Sequence, residues 1–295
     1  MIGMNFIISM RLKSLQSKND KQFFKICSEF VSYLKDGHLS FSYSQQTKSK
    51  VREDEGYAGG FQSAFDARII EDRPIVVTFE GNIDSIVGEF GKAVEKFKKA
   101  RVKGVVIDVR YSTGGNESFR DILGYLTDKK IYINNYRFKK SGRFNDIYFL
   151  RPFLENIRSG SSHFKQENGY TKWWSWRVTP NKEQYLTTIP VAVLCNEGIF
   201  SSTSSFVNAC LESDLATVLG NIIPLSGCGL STPFYTPSRK YILSYGFIDD
   251  RDINLAYHEN ITKDPDIKVS QTLEDYYQGI DTQLSRAIEY INNKK

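Results

Sequence analysis

A serine cluster in the second half of the chain lies between a strand pattern and a helix pattern, where a nucleophile can be built. Residues 191–195 (VAVLC) are typical of a buried strand, and Ser201, Ser202, Ser204 and Ser205 follow after a short turn. A hydroxyl at such a junction stands clear of the sheet, and the free N–H groups at the start of the helix can bind an oxyanion. The same residue types also favour a plain helix N-cap, which is the alternative interpretation.

A glycine turn follows another apolar strand pattern earlier in the chain. The segment 108–116 reads DVRYSTGGN and contains Gly114 and Gly115. Glycines let a backbone approach a ligand closely and present N–H groups to an anion. The segment lacks the lysine of a GxxxxGK[ST] phosphate loop. It is therefore either another kind of anion-binding turn or an ordinary turn at the end of a strand.

Histidine is the usual general base beside a serine nucleophile, and the chain has three, His38, His163 and His258. His38 ends an Asp-Gly-His tripeptide at a predicted corner between a helix and a strand, where its side chain can face a cleft. His258 is followed by Glu259, a carboxylate that can orient an imidazole. The residues themselves leave His38 and His258 as rival candidates for the base, and each can equally be a polar loop residue.

The elements that must position these residues alternate between strand and helix patterns. Apolar runs at 75–79 and 105–109 predict strands, and apolar residues at helical spacing predict helices over 83–100 and 116–126. This βαβ order predicts an α/β fold with a predominantly parallel sheet. Residues 1 to about 36 are predicted to be helical, with an apolar stripe along one face.

Two further segments depart from this rhythm. An aromatic and basic stretch over about 130–188 is predicted to be an insertion, either a lid or a wall that contacts substrate. Its side chains also suit nucleic acid, but no nucleic-acid-binding motif accompanies them. The chain is predicted to close with one amphipathic helix that begins with a capping box at Thr272 and Asp275. Its apolar face comprises Leu273, Tyr276, Tyr277, Ile280, Leu284, Ala287, Ile288 and Ile291.

The composition describes a folded globular protein and excludes several classes. The 295 residues are 40% hydrophobic and 25% charged, and the net charge of +5 is too small to indicate nucleic acid by itself. The scattered cysteines Cys27, Cys195, Cys210 and Cys228 form no CxxC pair, so free thiols are expected and no metal site is predicted. No segment approaches the length of a membrane span, and the N-terminus makes a poor signal peptide. The chain is therefore expected to be cytoplasmic as given, although an exported protein without its signal would look the same.

Taken in chain order, several segments resemble one group of peptidases. They are DGH near the start, GVVIDVRYSTGGN, PVAVLCNEGIFSSTSSF and the closing stretch HENITKDPDIKVSQTLEDYYQGID. Together they are similar to the peptidase core of the tail-specific (carboxyl-terminal-processing) and tricorn serine proteases, over most of residues 36–292. The resemblance implies a crotonase/ClpP-like α/β core, which agrees with the βαβ order.

The resemblance also implies roles for individual residues. Ser201 falls at the position of the nucleophile. The oxyanion hole falls on the backbone N–H of Gly114 or Gly115 and on that of Ser202. Such donors stabilise the charge that develops on the carbonyl oxygen during attack.

The general base follows from a departure from the family pattern. Carboxyl-terminal-processing members pair the serine with a lysine about 25 residues later, but Ser226 occupies that position in GNIIPLSGCG, and the nearest lysine, Lys240, lies well past it. The tricorn-type branch instead uses a histidine and a glutamate. That resemblance implies His38 as the base and Glu259, in HENITKDPD, as its polar support. Ser204 is a second departure, at a position where the family often has glutamate.

The sequence therefore predicts a serine peptidase that acts through an acyl-enzyme, with no cofactor and no metal. Its domains are predicted as an N-terminal helical segment over 1–50 and a peptidase core over 51–295. No room exists over 44–80 for the PDZ domain of tail-specific members. The expected partner is a polypeptide substrate rather than nucleic acid, and the oligomeric state is left open. The alternative is a non-catalytic binding module of the same fold for peptide tails or apolar ligands, which Ser204 and Ser226 favour.

Overall fold

The computed structural model describes residues 4–44, 64–68, 75–80, 86–115, 119–139, 164–165, 167–226, 231–246 and 248–294. The chain divides into two compact units. The N-terminal unit comprises Met1–Gly60 and Gly229–Ile248, and the core unit comprises Phe61–Cys228 and Asp249–Lys295.

The described residues form two helices at the N-terminus, then a mixture of strands and helices, and then seven strands in succession before the last two helices. The helices are α1 (Met4–Leu15), α2 (Asp20–Tyr33), α3 (Val87–Ala100), α4 (Phe119–Gly124), α5 (Ser202–Glu212), α6 (Leu273–Tyr277) and α7 (Thr282–Asn293), with a short 3₁₀ helix at Tyr185–Thr188. The strands are β1 (Ser40–Tyr43), β2 (Ala64–Arg68), β3 (Ile75–Glu80), β4 (Val105–Asp108), β5 (Ile131–Phe138), β6 (Trp174–Val178), β7 (Val191–Cys195), β8 (Thr217–Gly220), β9 (Ile223–Leu225), β10 (Ser231–Tyr235), β11 (Tyr241–Gly246), β12 (Ile248–Arg251), β13 (Ile261–Lys263) and β14 (Ile267–Lys268). Among the described helices, none is long and apolar enough to cross a membrane.

The core unit is built on a sheet whose described strands run in the order β14-β8-β7-β4-β3-β2. Neighbouring strands are parallel from β14 to β3, and the edge strand β2 runs antiparallel to β3. The predominantly parallel sheet predicted from the sequence is confirmed. Every residue of β4 and β7 is buried, as expected for strands of a parallel sheet that is covered on both faces.

Helices pack on the central strands of this sheet. On one face, Ile291 of α7 joins a buried cluster with Val106 and Leu194. Helix α5 contacts β7, β8 and β9, and its residues from Ser202 to Cys210 are all buried. The helix that begins beside the predicted nucleophile is therefore a core element rather than a surface helix.

The N-terminal unit combines helices with a small antiparallel sheet, in the order β1-β11-β10. Helix α2 packs on this sheet through aromatic rings. Phe24 stacks on Tyr43 with ring centroids 4.3 Å apart, and Phe41 stacks on Tyr241 at 5.3 Å. The helical prediction for residues 1–36 is confirmed where the structure describes α1 and α2.

The stretch predicted as an aromatic and basic insertion contains β5 and β6, which pair antiparallel. Its residues 140–163 lie outside the described residues. Within the described part, Trp173 is 3% exposed, and the guanidinium carbon of Arg137 lies 4.3 Å from the centroid of its ring. Arg137 Nε also donates to the Asp249 carboxylate at 2.7 Å. These aromatic and basic side chains therefore pack against one another within the core unit.

The prediction of a single closing helix is wrong. The segment forms two helices, α6 and α7, separated at Gly279, whose φ of +71° lies in the left-handed region. Asp281 then caps α7, because its carboxylate accepts the amide of Leu284 at 2.9 Å. Tyr276 and Tyr277 are left 68% and 83% exposed, so the buried apolar face belongs to α7. Glycine and aspartate in QGID are the sequence signals for this break.

Candidate active site

Ser201 lies at the carboxyl edge of the sheet, between β7 and α5. Its backbone has φ 53° and ψ −125°, a conformation that costs a residue with a Cβ about 1–3 kcal/mol. An N-cap residue normally has an extended backbone and accepts a helix amide, whereas the Ser201 side chain makes no capping hydrogen bond. A strained corner between a strand and a helix is typical of a nucleophile elbow. Ser201 therefore departs from a plain N-cap in both its backbone conformation and its hydrogen bonding.

Gly114 lies against the start of α5. Because β4 and β7 are parallel neighbours, the turns that follow them meet at the same edge of the sheet. A Cβ built on Gly114 would lie 2.8 Å from the amide nitrogen of Ser202 and 2.7 Å from the carbonyl oxygen of Phe200. Gly114 also has a φ of +81°, so both space and conformation require glycine there. The structure brings Gly114, with Gly115 next to it, together with the first N–H of α5, which has no acceptor within the helix.

Hydrogen bonds between buried polar groups hold the two turns together. The hydroxyls of Ser112 and Thr203 are 2.8 Å apart, and the Phe200 N–H donates to the carbonyl oxygen of Ser112 at 3.0 Å. The side-chain oxygen of Asn196 accepts the Tyr111 amide at 3.2 Å. Sequence reasoning missed these positioning residues. Asn196 directly follows a strand, and an asparagine there is a turn signal. The sequence does not distinguish the buried hydroxyl of Thr203 from the other hydroxyls of the serine-rich stretch.

Ser226 and the turn that carries Glu259 reach this edge on a second pair of strands. Strands β9 and β13 are antiparallel, with Ile261 opposite Leu225. Ser226 directly follows β9 and Glu259 shortly precedes β13, so the register brings both to one end of the pair. The oxygen Oγ of Ser226 accepts the N–H of Ser201 at 2.6 Å. This end of the strand pair therefore lies beside the candidate nucleophile.

Lys263 fixes β13 to the helix that begins at Ser202. Its Nζ donates to Asn208 Oδ1 at 3.0 Å and forms an ion pair with the Glu212 carboxylate. Asn208 and Glu212 both lie in the later turns of α5. The hydrogen bond and the ion pair therefore join this helix to β13, the strand that follows Glu259.

The first two lysines after Ser226 in the chain, Lys240 and Lys263, are both paired with carboxylates. Lys240 belongs to the N-terminal unit, where its Nζ lies 2.5 Å from the Asp20 carboxylate. Lys263 is held by Glu212. The position at which the family resemblance expects a dyad lysine is occupied by the uncharged Ser226.

The two described histidines lie in different environments. His38 lies in the N-terminal unit at the corner between α2 and β1, where its amide donates to Asp36 Oδ1 at 2.8 Å. The Asp-Gly-His tripeptide therefore forms a tight turn that leaves the histidine half-buried. His258 lies in the core unit and is 3% exposed, with Nδ1 3.7 Å from the buried Asp250 carboxylate. His163 lies outside the described residues.

The two described cysteines of the core unit, Cys195 and Cys210, are poor nucleophiles. Burial and the nearby Asp108 carboxylate raise the pKa of Cys195 to about 12, and burial also raises the pKa of Cys210. Little thiolate is present at neutral pH when a thiol pKa is raised in this way. Cys27 is also a free thiol, and Cys228 lies outside the described residues. The prediction of free thiols is confirmed for the cysteines that the structure describes.

An ion-pair network fixes the glycine turn to the closing helix. Arg110 Nη2 lies 2.7 Å from the Asp108 carboxylate and 2.6 Å from that of Asp281. Burial alone would lower the pKa of Arg110, but hydrogen bonds to both aspartates raise it. Burial alone would also raise the pKa of Asp281, but hydrogen bonds from Arg110 and from the Leu284 amide lower it. The network therefore carries fixed charges that hold the start of the turn at the N-terminus of α7.

Solved structures of the same fold include peptidases. A candidate peptidase from Parabacteroides merdae is 21% identical, with a TM-score of 0.71 over 100% of this chain and 90% of that chain. A lipoprotein from Streptococcus agalactiae is 17% identical, with a TM-score of 0.55 over 96% and 90%. The photosystem II D1 C-terminal processing protease is 10% identical, with a TM-score of 0.55 over 97% and 91%. At these identities the likeness shows a shared fold.

A family model gives the assignment that the fold alone does not. The comparison with curated proteins found no match. The model of peptidase family S41 matches residues 75–269, which is more than half of the chain. The matched stretch contains both turns at the sheet edge, Ser201 and the Glu259 segment. The resemblance to these serine peptidases is therefore confirmed at the level of the family, and this chain belongs to peptidase family S41.

Proposed function

We propose that this member of a peptidase family uses a Ser–His–Glu set, with Ser201 as nucleophile, His38 as general base and Glu259 as the carboxylate that orients the imidazole. Family membership supports peptide hydrolysis as the reaction and a polypeptide as the substrate. One observation carries the assignment of the nucleophile. The strained backbone of Ser201 begins a buried helix whose first amide is in contact with Gly114.

In the proposed reaction, the imidazole of His38 takes the hydroxyl proton of Ser201 while Oγ adds to the carbonyl carbon of the substrate. The N–H groups of Ser202 and of Gly114 or Gly115 donate to the carbonyl oxygen as it becomes negative. The imidazolium then gives its proton to the leaving amine, and the tetrahedral intermediate collapses. The amine departs, and the acyl-enzyme remains as an ester on Ser201. Water, deprotonated by the same imidazole, then hydrolyses the ester and restores the serine.

Glu259 acts on the imidazole rather than on the substrate. A carboxylate beside the ring keeps the correct nitrogen facing the serine and stabilises the imidazolium that forms during attack. The bond between Lys263 and helix α5 supports this role, because it joins the strand after Glu259 to the helix that begins next to Ser201.

The test is digestion of unfolded casein by wild type, Ser201→Ala and Ser205→Ala, with the products identified by mass spectrometry. Ser205 is a buried serine on the same helix that has no proposed role, so its variant is the matched control. We expect cleavage by wild type and Ser205→Ala and none by Ser201→Ala. Internal fragments would identify an endopeptidase, and products shortened from the carboxyl end would identify a trimming peptidase.

Two outcomes contradict the proposal. Cleavage that survives Ser201→Ala would remove Ser201 as the nucleophile. A wild-type protein that neither cleaves casein nor reacts with a fluorophosphonate, a reagent for activated serines, would favour the non-catalytic binding module. A search for bound peptide tails or apolar ligands would then follow.

A further inference from the structure

We propose that Ser226 and Ser204 form a chain of hydroxyls that positions the backbone of Ser201, so that both are positioning residues for the nucleophile. This inference rests on the proposed peptidase function of Ser201. These two serines are also the positions at which the sequence departs from the family pattern of a lysine and a glutamate. In the structure the side chains of these two serines are hydrogen-bonded to each other.

The chain consists of two hydrogen bonds. The Ser201 N–H donates to Ser226 Oγ at 2.6 Å, and the Ser226 hydroxyl donates to Ser204 Oγ at 3.2 Å. Ser204 is 2% exposed and Ser226 is 9% exposed, so water competes little for either bond. An amide that loses its acceptor where water cannot replace it carries the full cost of desolvation.

The chemistry of the hydroxyl explains why serine fits at position 226. A hydroxyl accepts one hydrogen bond and donates another at the same time, whereas a lysine ammonium only donates. A protonated lysine at this position would therefore have no lone pair for the Ser201 N–H. An alanine has neither donor nor acceptor. Ser226 serves a different purpose from a dyad lysine, since it acts on the backbone of the nucleophile rather than on its hydroxyl proton.

The bond acts at the most strained point of the site. Ser201 has φ 53° and ψ −125°, and such a conformation persists only where the surroundings hold it. Ser226 comes from the end of β9, outside the helix, and it bridges Ser201 and Ser204 across the first turn of α5. When the bridge is removed, the backbone is free to relax and to carry Oγ away from its attacking position. A displacement of about 1 Å in a reacting group costs about 100-fold in rate.

The hydrogen bond from Ser201 to Ser226 also determines which amide at the start of α5 can bind the oxyanion. The N–H of Ser201 is occupied by Ser226, so it is not the donor for the substrate oxyanion. The next amide, that of Ser202, lies against Gly114 and takes that role in the proposed mechanism.

The test compares Ser226→Ala with Ser226→Thr, which keeps the hydroxyl, and with Ser205→Ala, a buried serine on the same helix outside the chain. Three quantities are measured for each: kcat and KM for a peptide substrate, the rate at which a fluorophosphonate labels Ser201, and Tm. We expect Ser226→Ala to lower both kcat and the labelling rate by about 10- to 100-fold at nearly constant KM. Ser226→Thr should recover most of this loss, and Ser205→Ala should stay close to wild type.

A second set of variants tests whether the two hydroxyls act as one unit. Ser204→Ala removes only the outer bond and is expected to lower the labelling rate less than Ser226→Ala does. The double variant Ser204→Ala/Ser226→Ala should be no slower than Ser226→Ala, because residues in one hydrogen-bond network are not additive. Amide hydrogen exchange at Ser201, followed by NMR on protein labelled with ¹⁵N-serine, should become faster in Ser226→Ala and stay slow in Ser226→Thr.

The outcomes separate this inference from the proposed function. If the wild type cleaves and is labelled while Ser226→Ala does both at the wild-type rate, the positioning role is wrong and the peptidase assignment stands. An equal loss of rate and of Tm in Ser226→Ala and Ser226→Thr would also overturn it, since a packing defect alone gives that result. A wild-type protein that is neither labelled nor active would end the proposed function, and the positioning role with it.

Discussion

The backbone of Gly114 approaches Ser202 so closely that a Cβ on Gly114 would lie 2.8 Å from the Ser202 amide nitrogen. The contact joins the turn after β4 to the first residue of α5. It exists because β4 and β7 are parallel neighbours, so that distant turns share one edge of the sheet. Real Cβ atoms essentially never come within 3.0 Å of a heavy atom outside their own and the adjacent residues, so a side chain at position 114 must displace this edge.

Substituting Gly114 is therefore expected to damage catalysis more than stability. In Gly114→Ala the new methyl group pushes the turn away from the Ser202 amide, and loss of one oxyanion donor costs about 100- to 1,000-fold in kcat. The measurement is kcat for a peptide substrate together with Tm. Gly169→Ala is the matched control, because Gly169 has a φ of +83° but nothing within 4 Å of its Cβ position. A kcat of Gly114→Ala equal to that of Gly169→Ala would show that the close approach of Gly114 to Ser202 does not matter for catalysis.

The two described histidines are expected to respond differently to substitution. His38→Ala should abolish cleavage without a large change in Tm, because the proposed base is lost from a half-buried turn. His258→Ala should lower Tm and leave kcat nearly intact, because His258 is buried beside Asp250.

An imidazole accepts a proton only in its neutral form, and histidines ordinarily titrate near about pH 6.5. Wild-type kcat/KM should therefore fall as the solution is acidified and the imidazole of the base is protonated.

The contrary result would reassign the base. Cleavage that survives His38→Ala and is lost in His258→Ala would make His258 the general base. A rate that rises only well above about pH 8 would contradict any histidine base with an ordinary pKa.

Local sequence patterns predict the elements that depend on neighbouring residues. The apolar runs predicted as strands at 75–79 and 105–109 are found as Ile75–Glu80 and Val105–Asp108, because a strand covered on both faces needs a continuous apolar run. The closing helix is mispredicted for a related reason. Apolar spacing continues across Gly279, although the left-handed backbone there ends α6.

The candidate site likewise has features that local sequence patterns predict and features that they do not. Motif order places Ser201 after a strand and Gly114 in a glycine turn, and the parallel sheet then brings these turns together. The bond from Ser201 to Ser226 has no local signal. It depends on the antiparallel pairing of β9 with β13 and on the packing of α5, which are set by contacts between distant segments.

Arg110 is expected to contribute strongly to the stability of the core unit. Arg110→Gln removes the cation between Asp108 and Asp281 and leaves Asp108, which is 6% exposed, as a buried charge. Breaking a buried pair in this way costs about 3–5 kcal/mol of the free energy of unfolding. Urea unfolding at neutral pH measures the loss. Arg286→Gln is the control, because its pair with Glu289 is about half exposed and is worth about 0–1 kcal/mol.

The same network predicts the pH dependence of stability. The pKa of Asp281 is lowered in the folded protein, so its contribution is present above the ordinary aspartate pKa of about 3.9 and is lost as the pH falls through the lower folded value. The difference in unfolding free energy between wild type and Arg110→Gln should therefore shrink below about pH 4. A difference that stays constant between about pH 7 and 3 would show that the side chain acts through packing and not through its charge.

The buried thiols of Cys195 and Cys210 are expected to be alkylated more slowly than the half-buried thiol of Cys27. Burial and the Asp108 carboxylate raise the pKa of Cys195 to about 12, and Cys210 is fully buried in α5, so iodoacetamide at about pH 8 should modify neither in the folded protein. Cys27, which is only half-buried, should react faster and serves as the internal control. Peptide mapping by mass spectrometry before and after unfolding gives the rates. Rapid modification of Cys195 in folded protein would mean that the carboxyl end of β7 opens, and with it the edge of the sheet on which Ser201 is held.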